Sequence, residues 1–207
     1  MKPDENIHVF DEEQSIRVIK DMIEVSRKKL QNDGILFIIW GWTMFINYFF
    51  LNYLTSILVT SQQVMSIVRP LRILLPLFAI GFTIYYITKE RKKVKTYIGI
   101  SLRYIWVSMF FCMVFINLIQ FNVLQKINFE LQHPIFMILI AFAITISGVV
   151  IRYKMIIIGG ILFAILGLTA SYFLLISQML IEAIAWFVAF VIPGHMLYAQ
   201  RKEKNNV

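Results

Sequence analysis

Between residues 35 and 199 the chain is almost wholly apolar, and that stretch most limits what it can fold into. It divides into six runs, at 35–58, 71–88, 104–124, 135–151, 155–176 and 179–199. A membrane-spanning helix needs about 20 apolar residues, because the hydrocarbon core is about 30 Å thick and a helix rises about 1.5 Å per residue. The expected fold is therefore an all-α membrane protein with six transmembrane helices. The last two runs are nearly continuous. As one helix they would reach about 65 Å, twice the hydrocarbon thickness, so Ser177-Gln178 is expected to turn between two spans. Arg152-Tyr153-Lys154 separates the fourth run, which is short, from the fifth.

Composition agrees. Of 207 residues, 59% are hydrophobic and 15% charged, with a mean hydropathy of +0.73. Soluble domains carry about 45–50% apolar and about 25% charged residues. A soluble enzyme, a disordered chain and a disulfide-stapled secreted domain are all excluded. Cys112 is the one cysteine, so no internal disulfide or thiolate cluster can form.

The formal charge of +8 does not indicate nucleic acid, because the basic residues flank the apolar runs. With the N-terminus inside, 17 of the 20 Lys and Arg residues fall in the cytosol, including the basic loop Lys89–Lys95. Only Arg69, Arg72 and Lys126 face out. By the positive-inside rule both termini are expected to be cytoplasmic.

Residues 1–33 are different in kind. They hold eight of the twelve acidic residues and no apolar core of signal type. Asp11 suits an N-cap, with Gln14 at the capping-box position. Ile16, Ile19, Ile23 and Leu30 follow a 3-4 spacing, and Asn32-Asp33-Gly34 supplies a stop. An amphipathic cytosolic helix over about residues 11–32 is expected. Two heptads are marginal alone, so the stripe should rest on the membrane, on a partner or on its own copy.

Helices in lipid associate where small residues let backbones approach. Gly160 to Ala164 and Gly167 to Ser171 in the fifth run, Ala143 to Ser147 in the fourth and Ala185 to Ala189 in the sixth offer such steps. Runs four to six should form a compact antiparallel unit. The amides Asn47, Asn52, Asn117, Gln120 and Asn122 of runs one and three read as interhelical hydrogen bonds or as a polar path.

Ionisable groups within spans mark functional hypotheses. No Asp follows Asp33, and Glu182 is the one acid inside a run, about one turn below the outer surface. It is a candidate to bind a cation or proton, with Arg72 or Arg69 as partner; otherwise it is an interfacial carboxylate reaching water. Arg103 lies at the inner mouth of the third run, where its stem can snorkel. His195 follows Pro193-Gly194, and His8 and His133 fall in other compartments. Pro76 and Pro193 are expected kinks. No phosphate loop, zinc-protease helix or nucleophile elbow occurs, and no cofactor or metal is implied.

Several stretches together resemble a family of short, uncharacterised six-span integral membrane proteins from Bacteroidetes. They are Ile39-Trp40-Gly41-Trp42 after the acidic helix, the Lys89–Lys95 loop, Ile151-Arg152-Tyr153-Lys154 leading into Ile158-Gly159-Gly160, and Val191-Ile192-Pro193-Gly194-His195. The resemblance implies a bacterial cytoplasmic-membrane protein and carries over no catalytic residue.

Two functions stay open. One is a non-enzymatic regulator or scaffold contacting a cytosolic protein through the stripe Ile16, Ile19, Ile23 and Leu30. The other is a small oligomeric transporter or channel using Glu182 and the polar residues of runs one and three. Partners consistent with the sequence are the lipid bilayer, a cytosolic protein and a second copy of the chain, not nucleic acid directly.

Overall fold

The computed structural model describes residues 16, 17, 21, 34–58, 61–91 and 97–205, and these form helices joined by short turns. Helix α1 comprises Ile35–Ile46, a π-helical segment Asn47–Leu54 and Thr55–Leu58. Helix α2 is Gln62–Arg91, α3 is Tyr97–Leu124, α4 is Phe129–Ile151 and α5 is Lys154–Ala170. Helix α6 runs through Leu175–Trp186, a second π-helical segment Phe187–Val191 and Ile192–Asn205. Among the described residues five helices are long and apolar enough to cross a membrane; α5, at 17 residues, is the shorter apolar one. Apart from Ile16, Arg17 and Asp21, the amphipathic segment lies outside the described residues, including Ile19, Ile23 and Leu30.

The turn between the last two helices is displaced from Ser177-Gln178. Helix α5 stops at Ala170 and α6 begins at Leu175. Ser171, Tyr172 and Phe173 donate their backbone N–H groups to Leu168, Thr169 and Ala170, three residues back, which tightens the chain out of the α-helix. Gln178 lies inside α6, where its side-chain amide Nε2 donates to the Phe173 carbonyl at 2.9 Å and so closes the turn from the far side. Hydropathy misses the turn because Tyr172, Phe173 and Leu174 are themselves apolar, although exposed.

The core lies where α4, α5 and α6 meet, around Met137, Ile144, Ile156, Phe163, Trp186 and Phe190. The expected compact unit of the last three helices is present, and close backbone approach builds it. A Cβ on Gly160 would stand 2.8 Å from the Thr145 backbone nitrogen of α4, and one on Gly159 would stand 3.1 Å from the Ala189 Cα of α6. Adjacent glycines thus serve two neighbours on two faces of α5.

Helix α1 belongs to this unit rather than to a separate group of the first three helices. Phe37, Trp40, Met44 and Tyr48 pack on the core, and a Cβ on Gly41 would meet the Val191 nitrogen at 2.8 Å. Gly34 lies against Gly194, so the start of α1 and the last third of α6 occupy one end of the bundle. Helices α2 and α3 are peripheral: 11% and 6% of their most apolar windows are buried, against 50% in α4 and 44% in α6. The prolines do not break the helices. Pro70 and Pro76 sit within α2, and buried Pro193 follows the π-helical turn of α6.

Candidate functional site

Glu182 does not reach water. Its side chain is 2% exposed, on the second turn of α6, and faces the first turns of α4. There His133 Nδ1 lies 2.6 Å from Glu182 Oε2. That separation is at the short end for hydrogen bonds to a charged group. The imidazole is 18% exposed, so it is the partner nearer to solvent. Tyr48 of α1 completes the cluster: its ring meets the His133 ring edge-on at 5.9 Å.

Local structure explains how these side chains meet. Asn128 caps α4, its Oδ1 accepting the Leu131 N–H at 3.3 Å, so the helix starts before Glu130 and carries His133 into the bundle. On α6, Gln178 and Glu182 are one turn apart and share a face. Both address α4, Gln178 Nε2 donating to the Glu130 carbonyl at 3.0 Å while Glu182 takes His133. Tyr48 is presented from the π-helical segment of α1. Such segments shift side-chain register and recur at functional sites.

The expected partner of Glu182 is corrected. Arg72 is committed elsewhere: Nε donates to the Leu51 carbonyl at 2.7 Å and Nη2 to Thr55 Oγ1 at 2.8 Å, while Asn47 Nδ2 donates to the Arg72 carbonyl at 2.7 Å. These bonds dock α2 onto the π-helical segment of α1 and the short helical turn that follows it. Arg69 is exposed. Arg103, half-buried on α3, has a buried Nε with no hydrogen-bond partner among the described residues and does not enter the cluster. His195 is exposed near the opposite end of α6, with Nδ1 2.9 Å from the Val191 carbonyl. It edges Trp42 at 6.3 Å and lines an apolar groove of about 390 Å³ with Phe187 and Met196.

His133 is the partner of Glu182 that the sequence reading did not pair with it. The available signal was the pairing of Asn128 as a cap with Glu130 in the first turn, which starts the helix well before the apolar run at 135. The amides of α3 serve as interhelical bonds. Asn117 Oδ1 accepts from Gln132 Nε2 at 2.8 Å, and Gln120 Oε1 accepts from the Asn128 backbone at 3.1 Å.

Among the described residues no group of three His, Cys, Asp or Glu side chains could hold a metal ion. Chemically, the cluster can hold a proton between carboxylate and imidazole, with a phenol as a further donor. No family model, curated protein or solved structure matches the chain.

Proposed function

We propose that this is a six-span bacterial cytoplasmic-membrane protein with both termini in the cytoplasm. It acts as a non-enzymatic regulator whose N-terminal helix contacts a cytosolic protein, with the Glu182–His133 pair as its ionisable element. One observation carries the reading. The pair and Tyr48 join α1, α4 and α6 inside the bundle, and α1 continues directly into the cytosolic segment. A change in the pair's charge state therefore bears on the helix that leads to the partner surface. The charge distribution supports the orientation, as does the meeting of the α1 start with the last third of α6. Ile16 is 65% exposed, in keeping with a stripe that awaits a partner.

The test is co-purification from native-lipid particles. The full chain is compared with stripe variants Ile16→Asp and Ile23→Asp and with Glu182→Gln. A near-stoichiometric cytosolic protein lost from the stripe variants is expected. If every form is recovered alone, the regulator reading fails and the transporter reading replaces it, since burial of Glu182 within the bundle favours that function equally. Cytoplasm-only reporters fused to each end check the orientation.

A further inference from the structure

Two stretches far apart in the chain meet at the end of the bundle away from Glu182. Ile39-Trp40-Gly41-Trp42 of α1 and Val191-Ile192-Pro193-Gly194-His195 of α6 cross closely, each with a glycine at the contact. A Cβ on Gly41 would stand 2.8 Å from the Val191 nitrogen, and one on Gly194 would stand 2.9 Å from the Ile38 nitrogen. Beside this crossing, along the π-helical turn Phe187–Val191, runs the open groove of about 390 Å³, a volume within the range of small-molecule pockets. Trp42, Phe187, Val191, Ile192, His195 and Met196 line it. The Trp42 ring meets Phe187 edge-on at 6.0 Å and His195 edge-on at 6.3 Å.

The groove lies at membrane depth. His195 is four residues, about 6 Å, inside the end of the membrane-length segment Leu175–Ala199, and Trp42 is seven residues, about 10 Å, inside the start of Ile35–Leu58. His195 is exposed there, and a polar group facing hydrocarbon needs a partner. Its own helix meets half of that need. Nδ1 lies 2.9 Å from the Val191 carbonyl, which can only accept, so Nδ1 carries the hydrogen. In the neutral imidazole this leaves Nε2 as an acceptor, with no hydrogen-bond partner among the described residues. The missing partner is a donor on whatever occupies the groove. An ammonium does not suit, because no acid lines the groove and Arg201, Lys202 and Lys204 follow on the same helix. A neutral hydroxyl donates without bringing a charge to this depth. The apolar walls suit a hydrocarbon chain.

We infer that the groove between α1 and α6 is a binding site for a neutral lipid with a free hydroxyl, of the diacylglycerol type. The hydroxyl donates to His195 Nε2, and an acyl chain lies along Trp42, Phe187 and Ile192. The ligand enters sideways from the bilayer through the open side, where Trp42, Ile192 and Met196 are exposed. This site stands apart from the Glu182–His133 pair and from any cytosolic partner.

The test uses the full chain in discs of phosphatidylcholine, a lipid with no hydroxyl of its own. Dioleoylglycerol carrying a photoreactive diazirine in one chain is added at rising mole fraction, and labelled peptides are mapped by mass spectrometry. Labelling should saturate and should concentrate around Trp42 on α1 and around Ile192 and Met196 on α6. Unlabelled dioleoylglycerol should compete about three- to tenfold better than its O-acetyl ester, which keeps the chains and lacks the donor, as one net hydrogen bond allows. His195→Leu should abolish that preference, while His195→Gln, which keeps an acceptor, should retain part of it. Met196→Trp should block labelling by filling the groove. If the His195 variants do not fold, the wild-type preference and the block by Met196→Trp decide. Labelling that never saturates and spreads over every lipid-facing helix, equal competition by the ester, a preference that survives His195→Leu, or stronger competition by phosphatidylethanolamine would each overturn the inference.

Discussion

Two parts of this bundle solve the problem of association in lipid differently. Helices α1, α4, α5 and α6 interlock: glycines bring backbones together, and Met137, Phe163 and Trp186 fill the space between them. Helices α2 and α3 hold on by a few polar bonds instead. Arg72 and Trp40–Thr83 dock α2 on α1, whereas Asn117 and Gln120 dock α3 on the start of α4. Lipid tails are as apolar as the side chains, so a large apolar face gives no reason to pack. Shape complementarity or hydrogen bonds must supply the difference, and each half uses one of them. The Glu182–His133 pair lies in the interlocked half, where burial makes ionisable groups interact strongly.

The contrast can be broken most severely at the glycines. Gly160→Val should destabilise the bundle by about 3 kcal/mol or more, because the added atoms run into the Thr145 hydroxyl and, behind it, the α4 backbone at Thr145 and Ala141, which cannot yield. Gly81→Ala on α2, where a Cβ would meet nothing within 4 Å, should stay within about 0.5 kcal/mol of wild type. Unfolding in mixed detergent micelles measures both. Comparable losses at the two positions would show that α2 is packed as tightly as α5.

Next in size is the cluster. Glu182→Ala strands a part-buried imidazole and should cost about 1–3 kcal/mol, while Glu182→Gln, which keeps an acceptor for His133 Nδ1–H, should cost clearly less. Equal losses from both variants would mean that the pair contributes through volume and not through its hydrogen bond. Arg72→Met removes two bonds to α1 and should cost about 1–2 kcal/mol, with the loss read mainly as faster hydrogen exchange in α2. Arg72→Lys should rescue only part, because an ammonium cannot address Leu51 and Thr55 with the planar fork of a guanidinium. Full rescue by lysine would reduce that contact to plain charge.

How much of this was legible in the residues follows the same division. The all-helical character and the small-residue unit of α4 to α6 are written in apolar length and in the glycines, which act locally and leave a clear trace. Turns made of apolar residues leave none, so Tyr172 to Leu174 read as part of a span. Partner choice is also invisible, because it depends on the rotation of each helix. Glu182 could be picked out as the single acid, but whether it met Arg72 or His133 was decided by the Asn128 cap and by the π-helical segment of α1, which turns Tyr48 toward the carboxylate. Cap residues carry a recognisable signal; π-helical segments carry none in a single sequence.

The finest test concerns the bonds that hold α3. In hydrocarbon a hydrogen bond between helices has no water to compete with it, yet such bonds contribute only about 0.6 kcal/mol on average, because the separated helices find other partners. Asn117 has one at hand: its Nδ2 already donates to the Met113 carbonyl one turn back on its own helix. Its Oδ1 bond to Gln132 should therefore show a coupling near that average when Asn117→Leu, Gln132→Leu and the double variant are compared in a thermodynamic cycle. A coupling of about 2 kcal/mol would make α3 an integral helix held by polar specificity. A value near zero would leave the Gln120–Asn128 bond and Trp106 against Phe190, at 6.2 Å, as the contacts that keep α3 in place.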